Sequence, residues 1–183
     1  MKTFSVFLIM LFSLHPARSQ DRTKKPLDAV SSVDLSKYAG TWYEIARLPN
    51  RFQEKCASDV TASYTLLDNG EIRVVNRCRT YDGDTTEAEG LARRADGDEP
   101  ASKLKVRFAP GILAFLPFVW GDYWIIDLAT DYSYAVIGEP NREYLWILSR
   151  TPQMEDTTYH AIAGRLREQG YDPAKLVRTV QSR

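Results

Sequence analysis

Two thiols and one imidazole are the side chains of this 183-residue chain best suited to covalent chemistry. Cys56 and Cys78 are its only cysteines. A thiolate facing a pocket is a nucleophile, whereas an even pair in an exported protein favours a disulfide. The two flank Asp68-Asn69-Gly70, a strong hairpin signal because Asn-Gly readily supplies positive φ. Both share the parity of the inward-facing positions. Ideal pairing about that turn does not set them opposite each other, so a disulfide needs a bulge or bend. One disulfide is the expectation, and a free thiol is the alternative. His15 falls in the N-terminal apolar segment, which leaves His160 on a helical pattern. No Ser/His/Asp arrangement or metal cluster can be assembled around it, so neither an enzyme nor a cofactor or metal site is expected.

The elements that carry these residues alternate with a period of two. Val60 to Leu66 places Val60, Ala62, Tyr64 and Leu66 on one face, and Ile72 and Val74 return on the next strand. Ser102 to Phe108 sets Lys103, Lys105 and Arg107 outside and Leu104, Val106 and Phe108 inside. Gly121 to Leu128 is aromatic and β-branched, with Trp124 and Ile126 assigned inward, and Trp146 lies on the strand from Tyr144 to Ser149. About eight strands joined by short turns predict an antiparallel meander, and closure into a barrel removes its edges. Thr151-Pro152 then opens a helical pattern through Tyr159, Ile162 and Leu166, with Gly170 at its end. The fold class is therefore all-β, an eight-stranded antiparallel up-and-down barrel with a C-terminal helix packed outside.

The inward set is Tyr64, Leu66, Ile72, Val74, Leu104, Val106, Phe108, Trp124, Ile126 and Trp146, almost wholly apolar. That composition suits a lipid, although the same side chains can meet as a plain core. Ala88, Gly90 and Ala92 form a small face that leaves space, which favours a cavity. Gly111 to Trp120 is a strongly apolar connection. It is read as a lid and ligand entrance containing Trp120, ahead of a membrane contact or a homodimer interface.

Lys2, an apolar run from Phe4 to Leu14 and Ala17-Arg18-Ser19 predict a secretory signal over 1–19. A polar, flexible arm is expected over 20–32 and the main domain over 33–183. Export to the periplasm or beyond follows, with outer-membrane association left open. Net charge is zero, with 24 basic and 24 acidic residues, and no dense basic cluster points to nucleic acid.

Gly40-Thr41-Trp42, Asp131-Tyr132 and Arg150 resemble the three signatures of the lipocalin family, and GTWYEIARLPNRFQ, GDYW and YLWILSRTP resemble its bacterial, apolipoprotein D and temperature-induced subgroup. The resemblance covers roughly 33–180. It implies a carrier of one small hydrophobic ligand, such as a fatty acid or lysophospholipid, for lipid storage, transport or membrane maintenance. It also implies a closed-end plug in which Arg150 covers Trp42, and makes Trp146 the best single ligand contact. A family isomerase branch that uses a cavity cysteine, and an interaction module using 111–120, remain as alternatives. Some bacterial members carry a lipidated cysteine after the signal, and this chain has none there.

Overall fold

The computed structural model describes residues 25–95, 99–109, 111–114 and 116–182. The expected signal over 1–19 and the start of the expected arm lie outside these residues. Eight strands form an antiparallel ring: β1 (Gly40–Arg47), β2 (Cys56–Leu66), β3 (Ile72–Thr80), β4 (Thr85–Arg94), β5 (Lys103–Arg107), β6 (Gly121–Leu128), β7 (Tyr134–Gly138) and β8 (Leu145–Ser149). Each pairs with the next, and both β2 and β8 pair with β1, which closes the barrel. A short α1 (Leu35–Tyr38) precedes β1, α2 (Asp156–Glu168) follows β8, and a two-residue β9 (Val177–Arg178) pairs with β1 beyond the stretch that β2 covers.

Two apolar cores share the wall of this barrel. The inner one includes Trp42, Tyr64, Val74, Leu104, Ile125 and Ile137. The outer one, between the wall and α2, includes Ile45, Ile126, Val136, Ile147, Ile162 and Leu166. Strands β1, β6, β7 and β8 are thus covered on both faces, so their apolar residues do not alternate with polar ones. This overturns the inward assignment of Trp124 and Ile126. Tyr123 and Ile125 face the interior, while Ile126 sits at a register shift and packs toward α2. Trp124 packs on the same outer core, with Lys103 Nζ 4.4 Å from its ring centre.

Two local expectations also change. The arm is not free over 25–32: Leu27 is buried in the outer core, and the Val30 N–H donates to the Ile125 carbonyl at 2.9 Å. Apolar residues at positions 27, 30 and 33 give this stretch a face to bury. The helix begins at Asp156 rather than after Thr151, because the Thr151 hydroxyl donates to Gln153 O instead of capping N–H groups. It ends as expected. Gly170, at φ 83°, donates to Arg167 O while Tyr171 N–H reaches Leu166 O, the paired bonds of a left-handed helix terminus.

Candidate functional site

The barrel has one plugged end. Trp42 is fully buried there and donates from Nε1 to Tyr38 O at 2.8 Å. The Arg150 guanidinium lies 3.7 Å from the Trp42 ring centre and donates to the carbonyls of Thr41, Lys37, Tyr38 and Ala39. Flat charge over an indole combines cation–π attraction with hydrogen bonds that only a forked donor can make together. Gly40 is required beside it. Its φ is +98°, and a Cβ would stand 3.3 Å from Arg150 Nη1. From the β6–β7 turn, the Tyr132 hydroxyl accepts the Asp34 N–H that starts α1, and Asp131 Oδ1 accepts the Ser133 N–H. This cluster ties α1, β1, β8 and the β6–β7 turn together.

Above the plug the interior is less apolar than the alternation suggests. At its floor, Tyr123 Oη stands 2.6 Å from Tyr38 Oη and 2.8 Å from Tyr64 Oη. Burial raises the pKa of all three phenols, that of Tyr64 to about 12 and those of Tyr38 and Tyr123 well above 10, so they are neutral at physiological pH. Higher up, Glu44 and Arg47 face inward opposite Leu148 and Trp146. Glu44 accepts from Arg47 Nη1 at 2.7 Å, from Gln53 Nε2 at 2.6 Å and from the Thr179 hydroxyl. Gln53 Oε1 accepts from Trp146 Nε1 at 2.8 Å. Trp146 stacks on Tyr144 at 6.0 Å, and Tyr144 lies 5.5 Å from Phe52, which is 64% exposed. An aromatic stair therefore descends from the mouth to the inner wall.

Several inward assignments need correction. Leu66 is 43% exposed: β2 pairs with β1 only to Tyr64, opposite Gly40, so Leu66 lies beyond the plug. The small face on β4 is not empty at Gly90. Phe108 lies across it, and a Cβ there would come 2.7 Å from the Phe108 ring. Ala92 is buried, whereas Ala88 and Phe108 are exposed although they share inward parity. Trp120 is not at the entrance. Its ring sits under Arg93 at 4.4 Å and Arg107 at 5.1 Å, both outward on β4 and β5, and its Nε1 donates to Ala114 O. Tyr64, Val74 and Leu104 are buried within the inner core, with Val106 and Trp146 packed against it. Tyr38, Tyr123, Glu44, Arg47 and Gln53 carry the polar groups that alternation missed. The one available signal was the unusual charge of Glu44 and Arg47 on an otherwise apolar strand.

A model of the lipocalin-like domain matches residues 33–181. The chain belongs to the lipocalin family. It is 45% identical over 160 residues to temperature-induced lipocalin-1 of Arabidopsis thaliana, covering 87% of this chain and 85% of that one. It is 36% identical over 161 residues to the outer membrane lipoprotein Blc of Citrobacter freundii, covering 88% and 86%. Among solved structures, insecticyanin of the tobacco hornworm Manduca sexta superposes with a TM-score of 0.65 at 25% identity, over 87% and 86% of the two chains.

In this lipocalin Cys56 and Cys78 are joined, with Cα atoms 5.6 Å apart. Register shifts at Cys56/Ser58 and Ser58/Thr61 bring them together, and Val60 packs beside the bridge. Neither sulfur is a free thiolate, so the route through a cavity nucleophile has no reactant. The 111–120 connection of this lipocalin exposes Ile112 and Phe118, each 80% accessible, while Trp120 anchors its end on the outer wall. The described part of the loop thereby forms an outward shelf that presents Ile112 and Phe118 to the surroundings.

Proposed function

We propose that this lipocalin is an exported carrier, not an enzyme, that takes one fatty acid or lysophospholipid through the mouth onto the wall beside Trp146. One observation carries the reading: Val106 and Trp146 lie within the paired stretches of β5 and β8 and face inward, yet they are only half-buried, below a rim where Ala88 and Phe108 are exposed. An interior filled to native density would not leave inward side chains accessible. The apolar stair Phe52–Tyr144–Trp146 offers the acyl chain continuous contact from solvent to wall. Export rests on the signal expected over 1–19, and no cysteine follows it to accept a lipid at that point. The exposed Ile112 and Phe118 suit peripheral contact with a membrane from which the lipid is drawn.

Native mass spectrometry of the freshly purified mature protein tests the reading, followed by titration with palmitic acid and lysophosphatidylcholine under tryptophan emission. A co-purified lipid or a saturable one-to-one change is the expected outcome. No bound mass and no saturable change with either lipid would defeat it. The same spectrum counts subunits, and a dimer would assign the 111–120 shelf to an interface between copies.

A further inference from the structure

Two guanidinium groups on the outer wall form no ion pair with a carboxylate among the described residues. Arg93 on β4 and Arg107 on β5 lie against the Trp120 ring, their Cζ atoms 4.4 and 5.1 Å from its centre. Arg107 Nη1 donates to the Ala109 carbonyl, which meets a proton but leaves the charge, and the buried Nε finds no acceptor. The neighbouring cations on β5 are met: Lys103 pairs with Glu99 at 2.8 Å and Lys105 with Asp122 at 2.7 Å. Like charges gathered on one ring repel, and an anion laid over them turns repulsion into attraction.

We propose that Arg93, Arg107 and Trp120 form a docking face for a membrane surface rich in anionic phospholipid, with the guanidinium groups on its phosphates. The proposal rests on the membrane contact assigned above to Ile112 and Phe118, and it names the lipid class. One hydrogen bond joins the charged and apolar parts. Trp120 Nε1 donates to the Ala114 carbonyl at 2.8 Å, so the ring that holds both arginines also fixes the segment that exposes Ile112 and Phe118. An anionic bilayer meets both needs at once. Its headgroups take the arginines, whose forked donors match phosphate oxygens, and the acyl layer beneath takes the apolar side chains. An indole suits the boundary between those layers. A soluble anion would leave Ile112 and Phe118 in water.

The test is flotation with vesicles of phosphatidylcholine alone and of phosphatidylcholine mixed with phosphatidylglycerol. The native protein should bind the mixed vesicles about ten- to thirtyfold more tightly, at roughly fivefold for each arginine near the surface. Added salt should erase that difference. Arg93→Gln with Arg107→Gln should remove the preference and keep the weaker binding to phosphatidylcholine. Arg93→Gln alone should cost about fivefold, and because Arg93 is exposed this variant folds even where the Arg107 change disturbs Trp120. Equal native affinity for both vesicles, or a preference that survives in the double variant, would overturn the arginine face and leave the contact through Ile112 and Phe118. Native association with neither vesicle, beside intact binding of palmitic acid, would overturn the membrane contact itself. Displacement by inorganic phosphate beyond that by chloride at equal ionic strength would assign a free anion instead. A native dimer that falls to monomer in the double variant would assign the face to a second copy.

Discussion

Trp146 Nε1 donates to Gln53 Oε1 across 2.8 Å, so one hydrogen bond joins the inner wall to the loop at the barrel mouth. Gln53 holds Glu44 with its other end, and Glu44 holds Arg47 and Thr179. The loop is thus latched to the interior through a single carboxamide. Gln53→Ala removes the bonds to both Trp146 and Glu44 and should speed lipid release by about tenfold or more, at about 0.5–1.5 kcal/mol for each bond. Stopped-flow tryptophan emission measures this, with Trp146→Phe expected to lose most of the lipid-induced change. Equal release rates would show that the latch does not govern exchange.

Arg150→Ala should lower stability by about 1–3 kcal/mol, the usual scale for breaking a partly buried charged network. Arg150→Lys should recover little of it, because an ammonium cannot lie flat on Trp42 and also reach four carbonyls. Urea denaturation checks both, and lipid affinity per folded molecule should be unchanged. Lost affinity at unaltered stability would mean that the plug takes part in binding.

The disulfide closes a stretch of 22 residues, and restricting the unfolded chain by that length is worth about 3 kcal/mol. Cys56→Ser with Cys78→Ser should lower the urea midpoint accordingly while keeping the fold. Thiol labelling of the native protein under denaturing, non-reducing conditions should find no reactive cysteine. Two labelled thiols per chain would restore the enzyme alternative.

The buried phenols make stability depend on alkali. Their folded pKa values lie above the ordinary value of 10, with burial as the largest cause, and Tyr64 reaches about 12. Above pH 10 the unfolded chain loses these protons while the folded one keeps them, so stability falls as pH rises. It should be insensitive to these groups below pH 10 and decline as pH rises above it, the Tyr64 share being lost by about pH 12. The Tyr38→Phe, Tyr64→Phe, Tyr123→Phe variant should flatten that decline. Absorbance near the phenolate band, read beside circular dichroism, should show their ionisation arriving together with unfolding. Ionisation in a protein that remains folded would contradict the closed floor.

Ile112→Ser with Phe118→Ser should weaken association with phospholipid vesicles by tenfold or more, since each apolar side chain of this size contributes roughly 1.5–3 kcal/mol when buried. Both are 80% exposed, so the melting temperature should hold. Vesicle flotation and transfer rate measure the effect. If flotation, transfer and subunit mass are all unaltered, the shelf has no docking role.

What the sequence by itself determined about this protein was local or repeated along the chain. The period of two in β2, β3 and β5, the Asn69-Gly70 turn and the break to helical spacing before Gly170 were enough for a meander barrel with one outer helix. Those signals arise within a few residues, where one face meets apolar side chains and the other meets water. Only the tertiary structure decided which way β6 faces, because Tyr123 and Trp124 are covered on opposite sides, one by the interior and one by the outer core. It also decided that Phe108 occupies the room left by Gly90, and that Trp120 rests between two outward arginines rather than at the entrance. The same holds for the polar groups of the interior. Glu44 is tolerated there because Thr179, 135 residues away, and Gln53 complete its hydrogen bonds, and the Tyr38–Tyr123 contact spans 85 residues. A buried charge or hydroxyl is acceptable only where distant partners meet it, and spacing along a strand carries no record of such partners.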